Sequence, residues 1–417
     1  MDVKRDIKFA QKQLCIERLR KHQIEPINNI LGGNDTMVIA PTSSGKSAIY
    51  QIPTLLFSGI SLVIEPTLSL MYDQVNKLKS YGINATYIDS SVPAYERSRT
   101  LNRIKKGKIK ILFVTPERLQ KPKFLEVIKD IKLSMIVIDE CHCVTLWGYG
   151  FRHDYLKIGG FIDSLDFKPV IVALTATATP NMRSKICDLL SMVQPKVFEN
   201  SLYRSNLHFI KRLFVSDEAK LRELKRLLKK RKNNCIIYCN TKKMTDAVYE
   251  EVKQWYPNDV VKCHSNLNGK VRKGNELLFL NGEKHIMIAS SAFGLGIDQS
   301  NVDLVIHFNL PLSLIDYYQQ AGRAGRAGQK AKCILLYCEN DYLVNRIILK
   351  EIDDKSARKD ALRALDAMKE YAESTKCLTC QILSSLGEKM DKTCGSCTNC
   401  QKSCKQKSSP KMRKFLG

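Results

Sequence analysis

The residues best placed to do chemistry are a short polar loop near the N-terminus and a pair of neighbouring carboxylates further along the chain. Residues 40–47 read Ala-Pro-Thr-Ser-Ser-Gly-Lys-Ser and follow an apolar run that predicts a strand. Backbone N–H groups of such a turn can surround phosphate oxygens, Lys46 can face the outer phosphates, and Ser47 can bind magnesium. Thr42 and Gly45 of the same loop are predicted to contact the nucleotide.

The carboxylates Asp139 and Glu140 directly follow the apolar run of residues 135–138. At the carboxyl end of a buried parallel strand, Asp139 can orient the metal and Glu140 can activate a water molecule. The loop alone is a weak signal, because Ala40 replaces the first glycine of the general pattern and an ordinary polar turn fits it equally well. The loop and the acidic pair together predict hydrolysis of a nucleoside triphosphate.

Composition indicates the class of partner. The chain has 417 residues, 67 Lys and Arg against 42 Asp and Glu, and a net charge of +25. This charge favours nucleic acid over an acidic membrane surface, because no amphipathic basic helix stands out. The absence of a long apolar run or a signal segment predicts a soluble, intracellular protein, and the 15 cysteines, mostly single within apolar strands, suggest reduced core thiols.

Two α/β domains are predicted, because continuous apolar strands alternate with helical stretches, as in parallel sheets covered on both faces. Predicted helices cover residues 220–232, a basic surface helix with its leucines on the sheet, and residues 356–374. The predicted domains are 1–203, 204–348, a helical zinc module 349–404 and a basic, disordered tail 405–417. The predicted strands are 37–40, 61–64, 110–114, 135–138 and 170–174 in the first domain, and 236–238, 260–262, 285–289, 302–307 and 332–337 in the second.

A second domain beside a triphosphate site is expected to present cations to the γ-phosphate. Residues 319–326 read Gln-Gln-Ala-Gly-Arg-Ala-Gly-Arg and predict a helix that places Arg323 and Arg326 on one face. There they could stabilise charge that develops during phosphoryl transfer. Surface arginines on a glycine-rich helix are the alternative, which is less favoured because Gly322 and Gly325 weaken a helix unless close approach requires them.

Several short motifs follow one another along the chain. They are residues 19–23, 40–47, 65–74, 115–119, 139–142, 147–152, 174–177, 292–298 and 318–326. In the identity and order of these segments the chain resembles the RecQ family of superfamily 2 DNA helicases. The Trp-Gly-x-x-Phe-Arg stretch at 147–152 and the C-terminal cysteines distinguish this family from the DEAD-box RNA helicases. The resemblance implies two tandem RecA-like domains followed by a small zinc module.

The resemblance also implies an activity and its cofactors. It implies an ATP- and magnesium-dependent DNA helicase or translocase that moves 3′ to 5′ on single-stranded and forked DNA, in repair, recombination or replication. Arg20 and Gln23 resemble the adenine-recognition element, and Asp298 would lie near the ribose or an interdomain contact. A non-catalytic DNA-annealing or scaffold protein and an RNA helicase are the alternatives.

A further group of residues would couple hydrolysis to DNA. The aromatic loop directly follows the acidic strand, where its side chains could stack on unpaired bases, although burial in the core is the alternative for its aromatic rings. The coupling residues implied by the resemblance are His142, Trp147, Phe151, Arg152, Thr175 and Thr177.

The C-terminal cysteines form a candidate metal site. Cys377 precedes the spaced set Cys394, Cys397 and Cys400, which suits tetrahedral zinc and matches the family's zinc module. An iron–sulfur cluster remains the alternative, and Cys380 and Cys404 are spare. Because little sequence follows these cysteines, the chain is expected to lack the winged-helix and helical DNA-binding domains, either as a naturally short family member or as a truncated one.

Overall fold

The computed structural model describes residues 3–41, 44–89, 92–144, 153–290, 293 and 301–408. The chain divides into two compact units, the first extending to Leu202 and the second beginning at Tyr203. Each unit contains one parallel β-sheet whose strands are joined by helices. Among the described residues, no helix is long and apolar enough to cross a membrane.

The sheet of the first unit consists of parallel strands in the order β3-β4-β2-β5-β6-β1-β7. Its central strands are buried along nearly their whole length, as expected for apolar runs when helices cover both faces of a sheet. The strands are β1 Thr36–Ile39, β2 Ile60–Ile64, β3 Ala85–Ile88, β4 Ile111–Val114, β5 Leu133–Ile138, β6 Val170–Thr175 and β7 Lys196–Glu199. The α-helices are α1 Val3–Gln13, α2 Lys21–Leu31, α3 Lys46–Leu56, α4 Leu68–Ser80, α5 Ala94–Lys105, α6 Pro122–Lys129, α7 Ile158–Asp163 and α8 Pro180–Leu189.

The second unit has a parallel sheet in the order β10-β11-β9-β12-β13-β8. A core of aliphatic side chains lies between this sheet and helices that include α9 and α10. The strands are β8 Leu207–Leu213, β9 Asn234–Tyr238, β10 Val260–Cys263, β11 Ile286–Ala289, β12 Val302–His307 and β13 Ala331–Tyr337. The helices are α9 Asp217–Leu228, α10 Lys242–Trp255, α11 Gly269–Leu280, α12 Leu314–Ala321 and α13 Glu339–Lys350.

Three helices follow these elements: α14 Lys355–Glu373, α15 Leu378–Ser385 and α16 Thr398–Ser408. Lys211 of β8 joins this helical region to the sheet, since its ammonium donates hydrogen bonds to the carbonyls of Tyr371 at 3.4 Å and Ala372 at 2.8 Å, and also to that of Ser374. Helix α16 includes residues 405–408, so the predicted disorder of the tail is wrong for these four residues. The rest of the tail lies outside the described residues.

The parallel α/β architecture predicted from the sequence is confirmed, with two local corrections. Helix α9 begins at Asp217 rather than Lys220, and its leucines face the sheet as predicted, with Leu224 and Leu228 fully buried. Lys220, however, is itself 0% exposed and not on the surface. The prediction that a helix carries Arg323 and Arg326 is also wrong, because α12 ends at Ala321.

Candidate nucleotide site and zinc centre

The polar loop between β1 and α3 is held in place by Gln23. Its amide nitrogen donates to the Gly45 carbonyl at 2.9 Å, and its amide oxygen accepts from the Arg20 backbone N–H at 2.7 Å. Gly45 has a φ of +83°, and a Cβ there would lie 2.6 Å from the Gln23 amide nitrogen. The backbone conformation and this close contact therefore require glycine at position 45. Thr42 lies outside the described residues.

The loop presents two groups that suit phosphate and metal binding. The Lys46 ammonium lies across the loop and donates to the Ala40 carbonyl at 3.0 Å. Helix α3 starts at Lys46 with no side-chain cap, so its first backbone N–H groups are available to an anion. The Ser47 hydroxyl accepts a hydrogen bond from Gln74 at 3.2 Å. Gln74 was not predicted as a site residue, although it belongs to the matched segment 65–74.

The two predicted carboxylates lie at the carboxyl end of β5. Asp139 extends the strand by one residue, because its N–H donates to the Ile64 carbonyl at 3.0 Å. One of its carboxylate oxygens accepts from the Glu140 N–H at 2.8 Å. Glu140 has a φ of +48°, a conformation that non-glycine residues rarely adopt and that is typical of functional sites. Burial and the neighbouring Glu140 raise the pKa of Asp139 to about 6, while Lys46 opposes the shift.

A relay of close polar contacts connects this strand edge to the end of β6. The Glu140 carboxylate lies 3.1 Å from the Nδ1 of His142, and that nitrogen lies 3.0 Å from the Thr175 hydroxyl. The Thr175 hydroxyl donates to the Thr177 carbonyl at 3.0 Å, so it accepts from His142. Burial disfavours the charged imidazole, but contacts with Cys143 and Glu140 outweigh it and raise the pKa of His142 to about 10. The single Nδ1–H of His142 therefore lies between Glu140 and Thr175 and can be shared by both oxygens.

The structure thus brings predicted residues from two parts of the sequence together, since Glu140 and His142 lie beside Thr175. The aromatic loop residues Trp147, Phe151 and Arg152 lie outside the described residues, and so does Asp298.

In the second unit, Arg323 and Arg326 lie in the turn that follows α12. Gly325 has a φ of +62°, and its N–H donates to the Val302 carbonyl of β12 at 2.8 Å, so the chain cannot continue as a helix. A Cβ at Gly325 would lie 2.4 Å from the Asn206 amide nitrogen, which is the close approach that the glycine permits.

Arg204 clamps the same turn. Its guanidinium donates to the carbonyls of Gly322 at 2.7 Å, Ala324 at 2.9 Å and Gly325 at 2.6 Å. Burial lowers the pKa of Arg204. Arg204 was not predicted as a functional residue. Its hydrogen bonds to the turn, which only the structure reveals, stabilise the conformation of the turn that carries Arg323 and Arg326.

The four predicted zinc cysteines converge. The Sγ atoms of Cys377, Cys394, Cys397 and Cys400 all lie within 4.8 Å of one another. Two of these pairs are 4.0 Å apart, close to the edge of about 3.8 Å that zinc–sulfur bonds of about 2.3 Å give in a tetrahedron. Among the described residues, Cys380 does not belong to this group, and its thiol donates to the Lys392 carbonyl at 3.6 Å.

Backbone N–H groups support the sulfur atoms, as expected for thiolate ligands. The N–H of Leu378 lies 3.4 Å from the Cys397 Sγ, and the N–H of Cys394 lies 3.4 Å from the Cys377 Sγ. Gly395, with a φ of +69°, forms the tight loop between the ligands. The side chain of Cys404 lies outside the described part.

Three family models match successive parts of the chain. They are the DEAD/DEAH box helicase family over residues 20–185, the helicase conserved C-terminal domain over 219–328, and the RecQ zinc-binding family over 341–401. The ATP-dependent DNA helicase RecQ of Bacillus subtilis (strain 168) is 39% identical over 92% of this chain. A second protein of that strain, named as the probable ATP-dependent DNA helicase RecS, is 34% identical over 85% of this chain and 71% of its own length.

The chain belongs to the RecQ family. This RecQ-family chain spans 65% of the length of the Bacillus RecQ. Among solved structures, the DEAD-box helicase Mss116 bound to ssRNA and UDP-BeF gives a TM-score of 0.68 at 18% identity, covering 92% of this chain and 88% of Mss116, which shows a shared fold. The resemblance predicted from the ordered motifs is confirmed, and so is a RecQ-type zinc-binding module at the C-terminal end.

Proposed function

We propose that this chain is an ATP-dependent DNA helicase or translocase that moves 3′ to 5′ along single-stranded DNA and acts on forked DNA in repair, recombination or replication. The relatives named above as ATP-dependent DNA helicases support the activity. The observation that carries the proposal is the buried relay of Glu140, His142 and Thr175. It connects a hydrolytic carboxylate to the turn after β6, so that a change at one end can alter the other.

In the proposed reaction, the loop and the strand edge bind the triphosphate and its metal. Lys46 and the α3 N-terminus bind the phosphates, while Ser47 and Asp139 hold magnesium, which would neutralise phosphate charge when bound. Glu140 orients the attacking water. The fit is supported by the buried acidic edge, because a divalent cation would offset both the burial and the repulsion by Glu140 that raise the pKa of Asp139.

The remaining roles follow the same proposal. Arg20 and Gln23 recognise adenine, Gly45 and Thr42 belong to the phosphate-binding loop, and Asp298 lies near the ribose. Arg323 and Arg326 stabilise charge on the transferred phosphate. Coupling to DNA is assigned to His142, Trp147, Phe151, Arg152, Thr175 and Thr177, and zinc to Cys377, Cys394, Cys397 and Cys400.

The first experiment compares magnesium-dependent ATP hydrolysis with single-stranded DNA, duplex DNA, RNA or no nucleic acid. We expect the largest stimulation with single-stranded DNA. Glu140→Gln should bind ATP normally but lose turnover, because its role is confined to the transition state. Stimulation by RNA alone would favour the RNA-helicase alternative, and normal turnover in Glu140→Gln would refute its assigned role.

A second experiment tests the relay. Thr175→Val removes the hydroxyl that accepts from His142 while keeping the side-chain shape, so basal hydrolysis should change less than DNA stimulation does. Thr179→Val is the matched control, since this hydroxyl only caps α8 by accepting from Met182 at 3.4 Å. Equal DNA stimulation in the wild type and Thr175→Val would show that the relay does not couple the two activities.

A further inference from the structure

Glu65 is a carboxylate for which the proposed mechanism has no role. It is 0% exposed, and neither of its carboxylate oxygens has a hydrogen-bond partner among the described residues. Leaving a charged or polar group buried and unsatisfied is costly, so such groups are rare in native structures. The residue therefore calls for a ligand or a specific electrostatic reason.

Sheet register places Glu65 beside Asp139. Ile64 of β2 pairs with Ile138 of β5, and the next residues along these strands are Glu65 and Asp139. Both continue the ladder, because Asp139 donates to Ile64 and the Glu65 N–H donates to the Val114 carbonyl at 3.0 Å. Aligned residues of neighbouring parallel strands point to the same face and lie about 4.8 Å apart. Glu65 thus faces the acidic edge.

The surroundings of Glu65 are dominated by negative charge. Burial raises its pKa well above the ordinary range, and Asp139 and Glu140 raise it further, while Lys46 acts in the opposite direction. Lys46 nevertheless donates to the Ala40 carbonyl and makes no ion pair with Glu65. A triphosphate would be repelled by this carboxylate. A hydrated divalent cation, in contrast, offers both positive charge and water molecules as hydrogen-bond donors.

We propose that Glu65 is an additional carboxylate of the magnesium site, which acts beside Asp139 on the hydration water of the ion. The inference rests on the proposed function, since it assumes that a nucleotide–metal complex binds at residues 40–47. Glu65 is a positioning residue here, and its effect is on metal-dependent affinity. It differs from Asp139 in that nothing within the described chain satisfies its oxygens.

The test measures binding without hydrolysis. A fluorescent, non-hydrolysable ATP analogue is titrated in EDTA and in saturating magnesium, and the ratio of the two dissociation constants gives the metal coupling. Glu65→Gln should reduce this ratio about 10-fold, the lower end of the effect of losing an outer-shell metal partner. Glu65→Met, which needs no hydrogen-bond partner, should have the same effect.

Glu126→Gln is the matched control, because Glu126 is an exposed residue of α6 and the chemical change is identical. An unchanged coupling ratio in folded Glu65→Gln and Glu65→Met protein would overturn the inference and leave Glu65 as a neutral structural group. If the wild type itself binds the analogue equally with and without magnesium, the proposed function fails instead. These two outcomes are distinguishable from the wild-type titration alone.

Discussion

A buried ion pair in the second unit offers a quantitative test of the fold. The Lys220 ammonium, 0% exposed, donates to the two carboxylate oxygens of Asp341 at 2.8 and 3.1 Å and to the Phe308 carbonyl at 3.0 Å. It also lies 2.7 Å from Asp217. Burial alone would lower the pKa of Lys220, but Asp341 and Asp217 raise it above its ordinary value. These contacts join α9, the segment after β12, and α13.

Lys220→Met should therefore destabilise the second unit strongly. Asp341, only 4% exposed, would keep hydrogen bonds from Asn309 and the Cys338 N–H but lose its cation. Removing one partner of a buried ion pair costs about 3–5 kcal/mol. At about 2–4 °C per kcal/mol for a unit of about 150–250 residues, the unfolding temperature should fall by about 6–20 °C.

The assay combines calorimetry with hydrogen exchange, because a chain with two units need not unfold in one step. Faster exchange in α9 and α13, with the first unit unchanged, would assign the shifted transition to the second unit. Lys229→Met is the control, since this residue is exposed at the end of the same helix. Adding Asp341→Asn should restore part of the loss by removing the unpaired charge. Equal stability of Lys220→Met and Lys229→Met would refute the reasoning.

Two further predictions concern the arginine turn and the zinc centre. Gly325→Ala should lower the turnover number on the order of 10-fold or more with little change in ATP affinity, because a Cβ at 2.4 Å from Asn206 would displace the arginines. Gly328→Ala is the control, since it shares a positive φ of +88° but meets nothing within 4 Å, and equal kinetics of the two variants would contradict the prediction. Cys397→Ser should remove the zinc and make the helical region sensitive to trypsin. Cys380→Ser should retain the zinc and the resistance to trypsin. Elemental analysis that finds iron, or metal-free protein that is equally resistant, would contradict the zinc prediction.

The strands predicted correctly include those whose sequences are continuously apolar, such as β4 and β11, because burial on both faces leaves a clear signal. The strands missed were β3, β7 and β8. Strand β7 carries Lys196 and Glu199 and is mostly exposed at the sheet edge, and β8 has its own polar and basic residues. Such strands are set by pairing with a neighbour, which a local sequence pattern does not reveal.

The arrangement of the candidate site was predicted only in part, and the roles of its residues stay predictions. The four zinc cysteines lie together, as their spacing implied. The conformation around Arg323 was predicted wrongly, because the helix was assumed to continue past Gly325. The left-handed φ of Gly325, which ends the helix, depends on contacts with Val302 and Asn206 that the local sequence does not show. Arg204 was missed for the same reason, since its three carbonyl partners lie far along the chain.

Buried charges mark the limit of sequence reasoning most clearly, because composition alone assigns charged residues to the surface. Lys220 and Glu65 are both fully buried, yet their surroundings differ. The ammonium of Lys220 has partners within its own unit, so its role is structural and its removal should cost stability. The carboxylate of Glu65 has none among the described residues and lies beside Asp139, which is why we propose that it acts on a bound metal ion. The same observation, a charge without exposure, therefore predicts loss of stability in one unit and loss of metal-dependent affinity in the other.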